Sequence, residues 1–483
     1  MTALIVRGDI VVKGSLYAAQ QKIHPQSVTG TFRRLKWALL WLCLGTFYLL
    51  PFARWDRGPN LPHQAVLIDF DHARFYFFPI ELWAQELYYI TGLMVLGCLA
   101  LFLSNALIGR AWCGFVCPQT IWTDMFVWVE RRIEGDRRER IKLDAAPWTG
   151  AKIAKRAAKH AIWLAMAAST GVAFVLYFGD APTQIGRLAT LHASYQPWLW
   201  IGVLTSTTYG FAGHMREQYC QYVCPWPRIQ GALTDPDSLS VAYRIDRGEP
   251  KMSLKAAAKV REAGQPAGDC IDCNACVNVC PAGVDIRLGY QAGCIQCGLC
   301  IDACDATMRK VGRPTRLIGY DTDDNVRRRA NGEASTVRLV RPRTLAYAAM
   351  IAVIGAVMLF ALATRHSVAL SVQHVRMPMY TMLKDGSLRN GYALRIANKG
   401  GEARRFSISV EGVNGATVTC DEAVAMDGDR PVVAVAPDSD QSFLVFITAP
   451  SGGAAAPSGP VAFRVVETVG GESSTASDHF FGP

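Results

Sequence analysis

Eight of the fifteen cysteines lie between residues 270 and 304, in two runs that share one spacing. In each run the cysteines are separated by two, two and three residues, which is the spacing of bacterial chains that bind two [4Fe–4S] clusters. Three thiolates so spaced curl around one cluster, and the fourth crosses to the other. The pattern therefore predicts two ligand sets: Cys270, Cys273, Cys276 and Cys304 for one cluster, and Cys280, Cys294, Cys297 and Cys300 for the other.

Structural zinc and disulfides are the alternatives for these eight cysteines. Zinc sites take four ligands, usually as two Cys-x2-Cys pairs, and eight cysteines in this order fit them poorly. The two runs differ at one point, since Pro281 follows Cys280 whereas Asp305 follows Cys304. The turn after the second run is therefore expected to be less constrained.

A second cysteine pattern, Cys-x3-Cys-Pro, occurs twice, at Cys113 and Cys117 and again at Cys220 and Cys224. A spacing of four predicts that both sulfurs of a pair lie on one face of a helical turn, which the following proline limits. Buried cysteines are usually ordinary packing residues. The repetition favours a redox or metal site, and four thiolates suit Cu(I), zinc or iron–sulfur. We call these four residues the membrane-edge thiols.

The elements that must position these cysteines include several apolar segments. The chain has 483 residues, 51% of them hydrophobic, and five long stretches lack Asp, Glu, Lys and Arg. Each approaches or exceeds the roughly 20 residues that cross a bilayer. They predict five transmembrane helices: Trp37–Ala53, Leu87–Gly109, Ala161–Gly179, Leu188–Gly213 and Thr344–Thr364. A cleavable signal peptide is not expected, because 36 residues precede the first apolar stretch.

The distribution of Lys and Arg predicts the orientation, because segments rich in them stay cytoplasmic. There are six before the first span, three in 54–86, eleven in 110–160, one in 180–187 and nineteen in 214–343. We therefore expect a bacterial inner-membrane protein with a cytoplasmic N terminus and an external C terminus. This topology accounts for the net charge of +10, which therefore does not indicate nucleic-acid binding. Cluster ligands require a reducing compartment, which agrees with a cytoplasmic insert.

The predicted fold is a multi-pass α-helical membrane protein with a cytoplasmic two-cluster ferredoxin insert and a C-terminal Ig-like β-sandwich. Short alternating segments at about ten-residue spacing after Arg365 predict about seven strands in that sandwich. The predicted parts are a leader at 1–36, a four-helix membrane region with both Cys-x3-Cys-Pro motifs at 37–234, a ferredoxin-type domain at 235–315, a basic tether at 316–343, the fifth helix at 344–364 and the periplasmic Ig-like domain at 365–483.

Two further groups of potential ligands lie near predicted helix ends. His160 and His214 flank spans on the cytoplasmic side, where a histidine is more often hydrogen-bonded than a haem ligand. His374, Met377 and Met379 follow the last span and would suit Cu(I), although packing around a turn is the favoured interpretation. Neither a Gly-x-Gly-x-x-Gly motif nor a Walker-type loop occurs, so the electron donor is expected outside the chain.

The motifs resemble those of a known family, the cytochrome c oxidase accessory proteins CcoG, FixG and RdxA. The likeness covers nearly the whole chain, from 112–120 and 219–228 through the eight-cysteine insert to the last span and the stretch 385–392. The chain is also similar to the membrane ferredoxins of nitrate and nitrous oxide respiration, which share the Cys-x3-Cys-Pro motifs. Family members tend to have an Arg-Asn-Pro-Leu-like stretch where this chain has 376–379, which weakens a role for Met377 and Met379.

The resemblance implies reduction of Cu(II) to Cu(I) during assembly of the cbb-type oxidase, by a cupric reductase. It implies two [4Fe–4S] clusters, with copper as substrate or ligand at the membrane-edge thiols, and no assigned catalytic residue. Its partners would be the membrane, oxidase assembly factors or a copper transporter, and a cytoplasmic electron donor. Two alternatives stay open: an electron relay to a partner complex without its own substrate, and an assembly scaffold that acts through the Ig-like domain.

Overall fold

The computed structural model describes residues 22–58, 61–450 and 458–482, which form two compact units. The first unit runs up to Ala53 and then comprises Gln64–Gly355, and the second comprises Arg54–His63 and the chain from Ala356 onward. Most of the predicted leader, residues 1–21, lies outside the described residues. All twelve cysteines of the two patterns belong to the first unit.

Four helical stretches in the described chain are long and apolar enough to cross a membrane: Thr31–Phe52, Ala84–Ile108, Gly150–Phe178 and Pro342–Ala363. Most residues in the most apolar part of each helix are not buried against other protein, and in the last helix none is. Such helices satisfy their backbone groups internally, as lipid requires. Four of the five predicted spans thus correspond to long apolar helices.

The remaining predicted span, Leu188–Gly213, is not one uniform helix. It begins at the end of a short helix, Ala181–Ala189, continues as the helix Tyr195–Thr208, and ends in the π-helical segment Tyr209–Met215. The 14-residue α-helical part reaches about 21 Å at 1.5 Å per residue. The π-helical end was not predicted, because the apolar composition continues through it without a break.

The first unit up to residue 233 is mainly helical. Between the first two long helices, residues 66–83 form a three-stranded antiparallel sheet, which was not among the predicted elements. The elements are α1 Thr31–Leu49, β1 Val66–Asp69, β2 Arg74–Phe77, β3 Ile80–Trp83, α2 Tyr88–Ile108, α3 Ala111–Phe115, α4 Pro118–Glu134, α5 Arg137–Ala145, α6 Gly150–Val175, α7 Ala181–Ala189, α8 Tyr195–Thr208 and α9 Trp226–Leu233.

Helix α6 begins at Gly150, well before the predicted start at Ala161. Thr149 caps its first turn by accepting a hydrogen bond from the backbone N–H of Lys152 at 3.3 Å. Inside the helix, Lys159 pairs with Glu134 at 2.9 Å. Lys159, which lies close to the predicted start, is thus neutralised by a neighbouring carboxylate, and the helix extends beyond its apolar part.

The ferredoxin-type domain extends beyond the predicted end at residue 315. Strand β4 pairs antiparallel with β5, from Ser240 with Asp321 to Tyr243 with Ile318. Part of the predicted tether is therefore folded. The elements here are β4 Ser240–Tyr243, α10 Ile245–Gly248, α11 Leu254–Glu262, α12 Ala275–Asn278, α13 Leu299–Lys310, β5 Ile318–Asp321, α14 Asp323–Ala330 and α15 Pro342–Ala363.

The second unit contains a β-sandwich of ten strands in the described chain, where about seven were predicted. One sheet has the order β10-β13-β8-β6 with β7 on β8, and the other β11-β12-β9-β14-β15. Alternate residues such as Leu394, Phe406 and Phe463 are fully buried between the sheets. The strands are β6 Val368–His374, β7 Thr381–Met382, β8 Leu388–Asn398, β9 Arg404–Glu411, β10 Thr417–Cys420, β11 Ala425–Asp427, β12 Arg430–Val435, β13 Ser439–Ala449, β14 Ser458–Glu467 and β15 Ser473–Phe481.

Candidate metal centres

The two cysteine runs of the ferredoxin-type domain adopt the same backbone turn. Asp272 and Asn274 have φ angles of 53° and 55°, and Gln296 and Gly298, at the equivalent positions of the second run, have 54° and 73°. Left-handed residues between the cysteines bend the chain sharply, so that successive thiols turn toward one point. The sequence repeat is therefore also a structural repeat.

Each turn leads into a helix that carries the third cysteine of its run, and the two helices differ in length. Helix α12 ends at Asn278, before Cys280, whereas α13 continues past Cys304 to Lys310. Pro281 lacks a backbone N–H and prevents an equivalent continuation of α12. The structure therefore differs from the expected looser turn after Cys304, because the chain continues there as a helix.

The fourth cysteine of the second run lies beside the first run. Cys304 is buried, and its pKa is raised to about 12, first by burial and then by neighbours that include Cys276, Cys273 and Cys270. Its position is reached because α13 packs against the segment that carries the first run. The structure therefore brings together the four thiols of the first predicted ligand set.

The second set is assembled reciprocally: Cys280, the fourth cysteine of the first run, lies beside the second run. Burial and the nearby Cys297 and Cys294 raise the pKa of Cys280 to about 12. One cavity is lined by Cys280 together with Cys294, Cys297 and Cys300. The fourth thiol of each run thus crosses to the other run, as the ferredoxin spacing requires.

The surroundings of these thiols suit iron–sulfur clusters. The backbone N–H of Val284 donates to Cys280 Sγ, and that of Gln296 donates to Cys294 Sγ, both at 3.4 Å. Such donors stabilise sulfur ligands that carry negative charge. Two sets of four thiols, with backbone donors to sulfur, match the ligand number that two [4Fe–4S] clusters require.

The membrane-edge thiols also converge, although two stretches more than a hundred residues apart supply them. Burial raises the pKa of Cys220 to about 12, with further contributions from Cys117, Cys113 and Cys224. Burial likewise raises the pKa of Cys113 to about 11, and the nearby Cys117 and Cys224 add to this increase. All four thiols are therefore mutual neighbours.

The local geometry of the two Cys-x3-Cys-Pro motifs differs from the predicted helical turn. Helix α3 ends at Phe115, and Cys117 is the extended residue before α4, whose first residue is Pro118. In the second motif Cys220 lies in a π-helical turn, Tyr219–Val223, and Cys224 follows it. Each proline thus lies at or just before the start of the next helix, because the first turn of a helix needs no proline N–H.

Backbone contacts join the membrane-edge thiols to the second ferredoxin run. A Cβ added to Gly114 would lie 2.6 Å from the carbonyl oxygen of Ile295 and 3.0 Å from the Cα of Cys297. A Cβ on Gly293 would lie 3.3 Å from the side-chain nitrogen of Gln221, in the second motif. Both motifs therefore pack directly against the loop that carries Cys294 and Cys297.

Arg110, which the sequence analysis did not single out, lies between the two groups of thiols. Its side chain is only 2% exposed, its Nε donates to Gln230 Oε1 at 3.4 Å, and its Nη1 donates to the carbonyl of Ala292. Its charge lowers the pKa of Cys113, Cys220 and Cys294, against the larger effect of burial. A charge at the end of an apolar span was the only sequence signal.

Polar contacts complete the connection between the motifs and the ferredoxin-type domain. The thiol of Cys113 donates to Gln230 Oε1 at 3.2 Å, and the backbone N–H of Arg110 donates to Gln296 Oε1 at 2.7 Å. Gln230 and Gln296 are both about 1% exposed. Buried amides of this kind fix the relative positions of the elements that they join.

A buried ion-pair network connects the helices that carry the two motifs. Glu130, on α4, contacts Arg216 at 2.9 Å and Arg140 at 3.2 Å. Arg216 precedes the π-helical turn of the second motif, and these cations, with Lys159, lower the pKa of Glu130 to about 2 against the opposing effect of burial. The network therefore holds α4, which follows Cys117, next to the segment that carries Cys220.

The other candidate ligands do not form comparable groups. The rings of His160 and His214 stack with centroids 5.8 Å apart, and His160 Nδ1 is hydrogen-bonded to the Tyr209 hydroxyl at 2.9 Å. His374 is buried in the sandwich and bonded to Asn390, whereas Met377 is 90% exposed. His374 is therefore a packing residue, as the favoured interpretation held.

Models of known protein families match three parts of this chain. Residues 215–323 match a 4Fe-4S dicluster domain, and residues 90–135 match a 4Fe-4S binding domain. Residues 358–483 match the Ig-like fold at the C terminus of FixG, described as a putative oxidoreductase. The second match includes Cys113 and Cys117, outside the ferredoxin runs.

Several characterised proteins are similar over nearly their whole length. Nitrogen fixation protein FixG of Rhizobium meliloti is 46% identical over 91% of this chain and 89% of its own. Protein RdxA of Cereibacter sphaeroides is 47% identical over 90% and 91%, and protein RdxB of the same organism is 45% identical over 92% of each chain.

Proposed function

Because this chain belongs to the FixG/RdxA family of iron–sulfur electron-transfer proteins, we propose that it reduces Cu(II) to Cu(I) for assembly of a cbb-type oxidase. The observation that carries the proposal is the contact between the second ferredoxin run and the membrane-edge thiols, at Gly114 and Ile295. It gives electrons a short path from the clusters to soft ligands at the membrane edge.

In this path the first ferredoxin ligand set receives electrons from the donor, and the second set passes them on toward the membrane-edge thiols. Cys273 is exposed, so the first set can be approached by a soluble donor, whereas Cys297 and the loop around it face the membrane-edge thiols. The clusters, when bound, carry one electron at a time at potentials that span about −700 to +450 mV. Each Cu(II) ion needs one such electron to become Cu(I).

The membrane-edge thiols suit the product of this reaction. Thiolates are soft ligands that prefer Cu(I) over harder divalent ions. The thiol of Cys113 is buried and those of Cys117, Cys220 and Cys224 are half-buried, so a copper ion held there would be partly shielded from water and from reoxidation. The chain's contribution is therefore to place thiol ligands for Cu(I) next to an electron carrier.

A pure electron relay is the second candidate function, and the same contacts favour it. Three groups of thiols follow one another from the exposed Cys273 to the membrane edge, which is also the arrangement of a chain that passes electrons to a partner. Copper chemistry distinguishes the two functions, because a relay releases electrons to a partner without forming Cu(I).

The copper test uses full-length protein in detergent with its clusters chemically reduced. On addition of Cu(II) we expect reoxidation of the clusters and one Cu(I) trapped by a specific chelator per electron lost. The quadruple variant of the membrane-edge thiols to Ser should keep its ferredoxin spectra and react far more slowly. A chain with Cys270→Ser and Cys294→Ser should bind Cu(I) but not form it. Equal reduction by the quadruple variant and the parent would show that the membrane-edge thiols take no part in copper reduction. The support for a copper site would then be lost, and the relay would be the better account.

We also propose that the ferredoxin-type domain is cytoplasmic and the Ig-like domain periplasmic. The support is the distribution of Lys and Arg, with nineteen in 214–343 and a nearly balanced 365–483. A reporter that is active only outside the cytoplasm should work when fused after residue 370 and fail when fused near residue 150 or 320. The reverse pattern would overturn this orientation.

A further inference from the structure

We propose that one positively charged face of the ferredoxin-type domain is the docking surface for a small acidic protein that carries one electron at a time, such as a [2Fe–2S] ferredoxin. The proposal rests on the electron-transfer part of the proposed function and names the kind of donor that this part requires. It holds whether copper or a partner protein receives the electrons. We call this surface the basic face, and its cations are Lys255, Lys259, Arg261, Arg309, Lys310 and Arg313.

The basic face forms where two helices of the domain meet one loop. The side chain of Arg261, near the end of α11, donates to the carbonyl oxygen of Gly268 at 3.4 Å. That of Arg313, which follows α13, donates to the same oxygen at 3.3 Å. Just before α11, the backbone N–H of Met252 donates to the carbonyl of Cys270, a ligand of the first set, at 3.2 Å. The basic residues of both helices therefore lie beside the first ligand set.

The basic face carries an excess of positive charge. Residues 251–269 and 305–316 contain eight Lys and Arg but three Asp and Glu, a net charge of +5. Lys255 and Lys259 are four residues apart on the outer side of α11, opposite the fully buried Ala257. Among the described residues, no carboxylate pairs with these two lysines or with Lys310. Three exposed ammonium groups are thus available to an acidic partner.

Membrane topology does not account for these cations. Basic residues that set the orientation of a membrane protein lie within about 15–20 residues of the end of a transmembrane helix. The basic face lies within residues 255–313, whereas the preceding apolar helix α8 ends at Thr208 and the next one begins at Pro342. An unpaired positive patch attracts a protein of opposite charge and increases its association rate.

The first ligand set is the part of the domain that such a partner can reach. Cys273 is exposed, whereas no cysteine of the second set is. Arg287 pairs with the adjacent Asp272 at 2.5 Å, which places the residues after Arg287 close to this thiol. Two of them, Leu288 and Tyr290, are 72% and 45% exposed. Exposed apolar side chains with charges around them suit a weak electron-transfer interface, which buries less than about 1,200 Å².

The reaction at this surface is a one-electron transfer. The reduced carrier is oxidised, and the cluster bound by the first ligand set is reduced. No covalent bond forms or breaks. Attraction between opposite charges brings the carrier to the basic face and therefore close to Cys273. Because the charges act before the electron moves, the interaction can be measured with both proteins oxidised.

The first test is titration calorimetry of the full-length protein in detergent with an oxidised, acidic [2Fe–2S] ferredoxin of the plant type. We expect the affinity to fall about tenfold or more between about 0.01 and 0.3 M salt, because the Debye length falls from about 30 Å to less than 10 Å. Lys255→Glu, Lys259→Glu and Lys310→Glu together should weaken binding at low salt by a similar factor. Equal affinity of parent and variant, or no binding by the parent, would overturn the proposal.

The matched control reverses the same number of charges at exposed residues elsewhere in the first unit: Arg138→Glu, Lys142→Glu and Lys155→Glu. This variant should bind the carrier as the parent does. Carbodiimide cross-linking joins a lysine amine to a carboxylate in contact with it, and should link the carrier to the lysines of the basic face. Cross-links confined to the control lysines, or equal loss of binding in both variants, would contradict the assignment.

Two further measurements exclude other roles for the basic face. Reduction by the small cation methyl viologen should be as fast in the basic-face variant as in the parent, whereas reduction by the ferredoxin should be slower. Equal slowing with both donors would show that the variant damages the clusters and would remove this support. In nanodiscs, anionic and zwitterionic lipids should allow the same binding of the ferredoxin. Loss of binding with anionic lipid would assign the face to the membrane surface and overturn the proposal.

The docking surface and copper reduction can fail separately. A protein that binds the ferredoxin at the basic face but forms no Cu(I) would keep the docking surface and exclude copper reduction. A protein that forms Cu(I) after reduction by dithionite, but does not bind the ferredoxin, would keep the function and exclude the docking surface.

Discussion

The ferredoxin runs and the membrane-edge thiols are two cysteine groups whose side chains are brought together by different means. The eight ferredoxin cysteines lie within 35 residues, and left-handed turns at equivalent positions of each run direct them inward. The four membrane-edge thiols come from two helix boundaries, and contacts between distant helices bring them together. Local backbone geometry therefore makes the first group, and tertiary packing makes the second.

This difference predicts different sensitivities. A substitution that leaves the local turns intact should spare the ferredoxin clusters, because their ligands are positioned within a short stretch of chain. The membrane-edge thiols should respond to changes far from any cysteine, since Glu130 and Gly114 hold their supporting elements in place.

The largest effect is expected from a change within the ferredoxin runs. In Cys280→Ser we expect loss of about four iron, from the cluster that the second run mainly forms, because Cys280 crosses to it. EPR of the reduced protein would show which cluster is lost. Cys420→Ser, in the sandwich, is the control and should keep all the iron. Loss of the first run's cluster alone would show that the ligands do not cross.

The next largest effect is expected at the ion-pair network. Glu130→Gln leaves Arg140, Lys159 and Arg216 under-neutralised in a buried site, which should lower the free energy of unfolding by about 3–5 kcal/mol. The ferredoxin iron should remain near the parent's value. Glu262→Gln, on an exposed face of α11, is the matched control.

The effect of Glu130 should also depend on pH. Its pKa is lowered from 4.5 to about 2 in the folded protein. A lowered carboxylate pKa stabilises the fold above the unfolded value, and that contribution is lost as the pH falls through the folded value. Denaturation of the parent and Glu130→Gln should therefore converge between pH 4.5 and 2. A constant difference over this range would exclude the charged carboxylate as the cause.

A smaller effect is expected where the two cysteine groups touch. The added methyl of Gly114→Ala meets the backbone of Ile295 and Cys297, which must shift, so we expect a loss of about 1–3 kcal/mol. Reoxidation of the reduced clusters by Cu(II) should slow. Gly97→Ala, in a helix and with nothing within 4 Å of the added Cβ, is the matched control for both measurements. Equal rates in the two variants would show that electrons do not pass at this contact.

The smallest effect is expected at Arg110, as a change in reduction potential rather than in cluster content. Arg110→Gln removes a buried positive charge beside thiols of both groups, which disfavours the more negative reduced state. We expect lower midpoint potentials in an EPR-monitored titration, and Arg110→Lys should stay closer to the parent. Identical potentials in all three proteins would show that Arg110 acts only through its hydrogen bonds.

Particular residues allowed the cysteine groups, four long helices and the family to be predicted from the sequence. The spacing of the eight cysteines predicted which thiols the structure brings together, because a short chain segment has few ways to surround one point. Four apolar stretches became long helices, since lipid allows few other conformations. The family resemblance was confirmed by relatives at 45–47% identity.

Other features depend on contacts that the sequence does not display. Helix α6 begins at Gly150, before its apolar part, and Lys159 within this early part pairs with Glu134 from another helix. The π-helical segments within 209–223 have no compositional signature. The strand β5 was missed because its partner β4 lies about eighty residues earlier in the chain.

The sequence by itself determined the ligand types, the crossed spacing of the ferredoxin runs and the apolar segments, because these follow from short-range chain geometry and from solubility in lipid. Only the tertiary structure decided that both Cys-x3-Cys-Pro motifs face the second run and that Arg110 lies between the two groups. Those relations join segments that are far apart in the chain, such as Gly114 and Ile295. They arise from the packing of buried surfaces and the pairing of buried charges, which depend on the complete fold.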